Sequence, residues 1–144
     1  MDPTESEILA ANEAFYRAFR ERNVAAMRAI WSTGAPVACL HPGMAAIHGR
    51  DAVLRSFQGI LGHPNAPKLV ATEARVQQLG EAAFVICYEG EEGQAARLVA
   101  TNVFVLEEGK WRMVHHQAGP LGPGAAPKKA PEPKKDPEDP HRIN

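Results

Sequence analysis

A chain of 144 residues with 16 Lys and Arg against 17 Asp and Glu, and 44% hydrophobic residues, has the size and composition of one soluble globular domain. A formal net charge of −1 gives no global pull toward nucleic acid or an anionic membrane, and no apolar run is long enough to span a bilayer, so neither is an expected partner. The acidic opening, MDPTESE, lacks the basic-then-apolar pattern of a secretory leader, which makes the cytoplasm the expected compartment. Cys39 and Cys87 lie in apolar runs and read as small buried hydrophobes rather than as a disulfide.

Thr4 and Glu7 have the spacing of a capping box, so a helix is predicted to begin there, with Ile8, Phe15 and Phe19 along its inner stripe and Glu13, Arg17, Arg20 and Glu21 in solvent. Asn23 can end that helix and cap the next, whose stripe is Met27, Ile30 and Trp31 before Gly34 stops it. Pro36 to Leu40 is a short extended run, ended at His41 by the steric demand of Pro42. A brief strand at Ala45 to Ile47 precedes a third helix, Asp51 to Leu61, whose inner face is Val53, Leu54, Phe57, Ile60 and Leu61. Gly49-Arg50 precedes that helix, where an N-terminus can hold an anion, but a lone Arg50 beside Asp51 reads rather as a surface ion pair or a cap contact than as a phosphate site.

From Lys68 the apolar period changes to two. Val70, Thr72, Ala74 and Val76 mark one half-buried strand, Ala82 to Tyr88 is an apolar strand, and Glu89 to Gly93 reads as the loop that leads out of it. Ala96 to Gln117 reads as a hairpin turned by Glu108 and Gly109. With Leu106 facing Trp111, regular pairing sets Phe104 against Met113, Asn102 against His115 and Ala100 against Gln117 on one face. Thr101, Val103 and Val105 then share the other face with His116, Val114 and Arg112. Helices first and an antiparallel meander after them make an α+β domain. The domain is expected over residues 1–120. Seven of the twelve prolines follow Gly119, among mixed Lys, Asp and Glu, so residues 121–144 read as a Pro/Lys-rich disordered tail.

The helix-helix-strand opening, then VACLHPGMAAIHGRDAVLRSF, GEAAFVICYEG and TNVFVLEEGKWRMVHHQAGP, resemble the SnoaL-like branch of the nuclear-transport-factor-2-like superfamily over roughly residues 5–120. PKLVATEARVQQLGEAAFVICY and GKWRMVH are also similar to the association domain of calcium/calmodulin-dependent protein kinase II. The resemblance implies a cone-shaped curved sheet with about three N-terminal helices enclosing a pocket, commonly dimerised through the outer surface of the sheet. It also implies two kinds of function: isomerases, cyclases and dehydratases, or non-catalytic oligomerisation and accessory domains. Ketosteroid-isomerase-like chemistry would require a carboxylate on the first strand and a Tyr on the first helix. The first strand offers Cys39 and His41 with no Asp or Glu between Met27 and Arg50, and Phe15 rather than Tyr16 is the better match to that Tyr.

The expected pocket floor is Asn102, Phe104, Met113, His115 and Gln117, with Trp31 as a further wall, because apolar walls with a few polar groups suit a small apolar ligand. His115 and His41 are the candidate acid/base residues, since a neutral imidazole can give or take a proton near pH 7. His116 is expected on the outer face, in an interface or at the surface. No cofactor or metal is expected, because adjacent His115 and His116 point opposite ways along a strand and cannot share one ion without a bulge. A hairpin apolar on both faces, with helices to cover only one, leads to the expectation of a homodimer.

Overall fold

The computed structural model describes residues 3–127. Its order is α1 (Pro3–Arg20), α2 (Val24–Ile30), β1 (Ala38–Leu40), β2 (Ile47–His48), α3 (Arg50–Gly62), β3 (Leu69–Leu79), β4 (Ala82–Glu91), β5 (Leu98–Glu107) and β6 (Lys110–Pro120). The expected α+β class is the observed one. The tail expected beyond residue 120 continues in the described chain as far as Pro127, and its paired lysines lie outside the described residues. Among the described residues no helix is long and apolar enough to cross a membrane.

Local chemistry accounts for most boundaries. The Asn23 side chain accepts the Ala26 amide proton at 3.0 Å and so opens α2. Glu108 and Gly109 both take positive φ, 51° and 79°, the geometry of a two-residue turn whose twist matches its flanking strands. Helix α1 buries Ile8, Asn12, Phe15, Tyr16, Ala18 and Phe19, so its inner face is wider than the predicted stripe and carries two polar groups. Helix α3 buries Val53, Leu54, Phe57 and Leu61 as its pattern requires.

The six strands form one sheet in the order β2-β1-β6-β5-β4-β3. It is mixed rather than wholly antiparallel, because the short β1 pairs parallel to β6. Its inner face and the helices enclose a core that includes Trp31, Phe57, Val85, Phe104 and Met113. Strand β4 runs three residues beyond its predicted end, so Glu89, expected in a loop, is a strand residue only 1% exposed.

The hairpin register departs from the regular one at a single point. Leu106 pairs with Trp111, Val105 with Arg112 and Phe104 with Met113, but Val103 pairs with His115 and Asn102 with His116. Val114 is thus an extra residue in β6, a β-bulge, and every side chain beyond it changes face relative to a regular ladder. The connection after α2 docks at this point, where the Ser32 amide donates to the Met113 carbonyl at 2.9 Å.

Candidate functional site

The bulge exchanges the two adjacent histidines. His115, expected beside Asn102 on the pocket floor, is half-buried on the outward side opposite Val103, and Gln117 is exposed there. His116 takes the inward place, 4% exposed, with its Nδ1 2.5 Å from Asn102 Oδ1. An amide oxygen can only accept, so Nδ1 carries the proton and Nε2 is left with a lone pair. That Nε2 lies 4.0 Å from Glu89 Oε2.

Around this pair α1 and strands β4, β5 and β6 build a buried polar chain. Tyr16 Oη donates to Glu89 Oε2 at 2.5 Å and lies 3.3 Å from the Cys87 thiol. Asn102 Nδ2 donates to Tyr16 Oη at 3.1 Å and to Asn12 Oδ1 at 2.8 Å. Tyr16, not Phe15, is therefore the first-helix residue that supplies a hydroxyl. Phe15 meets Tyr16 edge to face with ring centroids 4.9 Å apart, and its ring lies tilted 4.8 Å from that of His116.

Burial acts on every titratable member of this chain. Desolvation pushes the Glu89 carboxyl above the usual carboxylate range, with the Tyr16 bond pulling the other way. Desolvation, then the nearby Glu89 carboxylate, raises Tyr16 well above its ordinary value. His116 is driven down to about 3 by desolvation and then by the charges of His41 and His115. With its imidazole neutral at pH 7, His116 forms no salt bridge with Glu89 across their 4.0 Å contact. The Cys87 thiol is pushed up to about 11, chiefly by burial.

The chain of polar groups reaches a cleft at one end of the sheet. Its volume is about 610 Å³, and its lining includes Pro67, Leu69, Glu89, Leu98, Pro120 and Leu121. The lining also includes Glu91 and Arg97, so the wall combines apolar side chains with a few charged groups, as small-molecule sites do. Glu89 belongs to both the cleft lining and the buried network. The chain leaving β6 runs along the same wall, held where the Leu121 amide donates to the Arg97 carbonyl at 2.9 Å.

The other expected site residues lie away from that cleft. Phe104 and Met113 are fully buried core residues, and Trp31 is 1% exposed with its ring against Phe57. Asn102 stands inside the network, where it orients Tyr16 and His116. His41 is buried beside Phe57, its Nε2 2.9 Å from Ser56 Oγ, whose own proton goes to the Val53 carbonyl. Its pKa is lowered by burial, and neighbouring Cys39, 3.7 Å away, is pushed up to about 12, so the pair holds a thiol rather than a nucleophilic thiolate at neutral pH. Glu89 and Tyr16 are the site candidates that the sequence conceals: Glu89 reads as loop, and Phe15 rather than Tyr16 reads as the match to the first-helix Tyr that the resemblance implies.

The sequence pattern of the SnoaL-like domain matches residues 8–121. The F-box protein SKIP8 of Arabidopsis thaliana is 26% identical over 115 residues, which are 80% of this chain and 50% of that protein. The chain thus spans about half the length of that curated relative. A candidate dehydratase of the NTF2-like family from Streptomyces avermitilis superposes with a TM-score of 0.73 at 29% identity, covering 81% of this chain and 94% of that one. A candidate calcium/calmodulin-dependent protein kinase type II association domain from Thiobacillus denitrificans gives 0.68 at 34% identity, covering 78% and 94%.

Proposed function

The chain belongs to the SnoaL-like family, and from that premise we propose that it is an acid/base enzyme acting on a small apolar carbonyl compound by isomerisation or dehydration. The observation that carries this reading is Glu89, whose buried carboxyl is bonded to Tyr16 and which is one of the residues that line the cleft. Once ionised, a carboxylate whose pKa burial has raised is a stronger base than an exposed one. Glu89 takes a proton from the carbon beside the substrate carbonyl. It returns that proton to another carbon in an isomerisation, or to a leaving hydroxyl, which departs as water, in a dehydration. Tyr16 holds the carboxyl in place, Asn102 holds Tyr16, and His116 holds Asn102. The similarity to a candidate dehydratase supports the same class.

The test is turnover on a panel of small apolar hydroxy-carbonyl and unsaturated carbonyl compounds. Glu89→Gln keeps the shape of the carboxyl and removes the base, so kcat should fall by about 10² to 10⁴ while a thermal shift from bound ligand remains. Undiminished turnover by the variant would remove Glu89 from the chemistry.

A second reading, an assembly domain, is favoured by the similarity to the kinase association domain and by the outward face of the sheet. There Val103, Val105 and Val114 are half-buried and Ile86 is 40% exposed. We propose that a second copy covers this face, burying on the order of 1,200 to 2,000 Å² in all. Val103→Arg would place a charge in that contact and should yield monomer or aggregate by light scattering. A monomeric unmodified protein at micromolar concentration would end the proposal.

A further inference from the structure

A second cavity, of about 260 Å³, lies at the hairpin tip, away from the Glu89 cleft, and its lining includes Arg28, Trp31, Arg50, Glu107, Lys110 and Arg112. Three separate parts of the chain meet there: α2 with the residues after it, the first residue of α3, and the turn between β5 and β6. Arg50, which the sequence presents as a surface ion pair or cap contact beside Asp51, is one of four cations around this space.

Two of these cations are fixed by neutral partners. Arg50 Nη2 donates to the Arg28 carbonyl at 2.9 Å, and Arg112 Nη1 donates to the Ala29 carbonyl. Those bonds hold the guanidinium groups at the cavity wall and leave their charge uncompensated. Glu107, one of the carboxylates in the lining, is bonded to the loop after α2. Its carboxylate accepts from Ser32 Oγ at 2.5 Å, from the Gly34 amide at 3.1 Å and from the Thr33 amide at 3.3 Å. With Glu108 as the other carboxylate in the lining, four cations face two anions.

The enclosed donors are the second observation. Among the described residues only two buried side-chain polar atoms have no hydrogen-bond partner, Trp31 Nε1 and Arg50 Nε, and both residues line this cavity. A buried N–H without an acceptor has lost its water without replacement, and one left in a native fold calls for an explanation. An anion in the cavity would supply the acceptor for both and answer the excess of two positive charges. A planar monoanion meets only part of that requirement. A tetrahedral dianion presents oxygens toward all three segments, and arginine forks match it well.

We propose that this cavity binds a phosphate group, whose oxygens are taken by the Arg28, Arg50, Lys110 and Arg112 cations and by the Trp31 and Arg50 N–H donors. Inorganic phosphate and the phosphate of a small monoester share this chemistry.

The experiment is a titration of the full chain at constant ionic strength with inorganic phosphate, methyl phosphate, acetate and chloride, followed by calorimetry and by the NMR signals of the two indole N–H groups. Saturable binding of a phosphate species with a shift of the Trp31 indole signal is the expected result. The tighter of the two phosphate probes then identifies the source. The double variant Arg28→Gln/Lys110→Gln should bind about tenfold more weakly. Neither side chain makes a hydrogen bond among the described residues, so its melting temperature without phosphate should be unchanged. No saturable binding, acetate bound more tightly than phosphate, or equal affinity in a folded double variant would each overturn the assignment.

Discussion

Glu89 and Glu107 stand on neighbouring strands of one sheet, each accepts a hydroxyl proton at 2.5 Å, and they end in opposite electrostatic states. Glu89 is enclosed, and the single Tyr16 bond does not offset the loss of water, so its proton is held more tightly than usual. Glu107 sits at the surface, where the Ser32 hydroxyl and the Gly34 and Thr33 amides together hold its carboxylate below the usual range. The difference lies in burial and in the number of donors rather than in residue type. A carboxyl of the first kind is poised to exchange a proton, while one of the second kind ties a loop to a strand.

The comparison can be broken most directly through stability as a function of pH. Between the unfolded carboxyl pKa and the raised folded one, the native state keeps a proton that the unfolded chain has released. The Glu89 contribution to stability is thus fully present below the unfolded value and is lost as pH rises, at about 1.4 kcal/mol per pH unit for one proton. Glu89→Gln should flatten that part of the profile in denaturant titrations run upward from pH 4.5. An unchanged slope would mean that Glu89 keeps an ordinary pKa.

The sequence made the frame legible because its signals are local. The Glu108-Gly109 turn, the Asn23 cap and the apolar stripe of α3 each depend on residues a few positions apart, and each is found within a residue or two of its expected place. The inner site was not legible, because its contacts are distant in sequence. Glu89 and Tyr16 are separated by 73 positions, and a Glu-Gly-Glu-Glu-Gly run has the composition of a turn until a buried hydroxyl is known to meet its first carboxyl. One inserted residue, Val114, exchanged His115 for His116, and nothing in Met113-Val114-His115-His116 marks the bulge. It becomes intelligible only with the docked Ser32 amide.

His116 sharpens the contrast from the base side. Its pKa falls from an unfolded value near 6.5 to about 3, so between those values the unfolded chain binds a proton that the native state refuses. Stability from this group is present above the unfolded pKa and lost as pH falls through the window, the opposite sense to Glu89. The imidazole carbon-bound proton signals should show His116 still neutral at pH 5, with the proton on Nδ1, when an exposed histidine is already charged. A midpoint near 6.5 would mean that the imidazole is hydrated or paired with an ionised Glu89.

The smallest effect belongs to Glu107. Its carboxylate is favoured in the folded state, so its contribution is present above the unfolded pKa and lost as pH falls through the depressed folded one. Because the group is solvent-exposed, screening keeps that contribution modest. Glu107→Gln retains one acceptor oxygen and loses the charge, so the variant should match the parent near pH 2 and be slightly less stable at pH 7. Hydrogen exchange should quicken at the Gly34 amide, which donates to this carboxylate at 3.1 Å, and stay unchanged in the core strands. Faster exchange across the whole sheet would mean that Glu107 supports the hairpin globally rather than tying one loop to its tip.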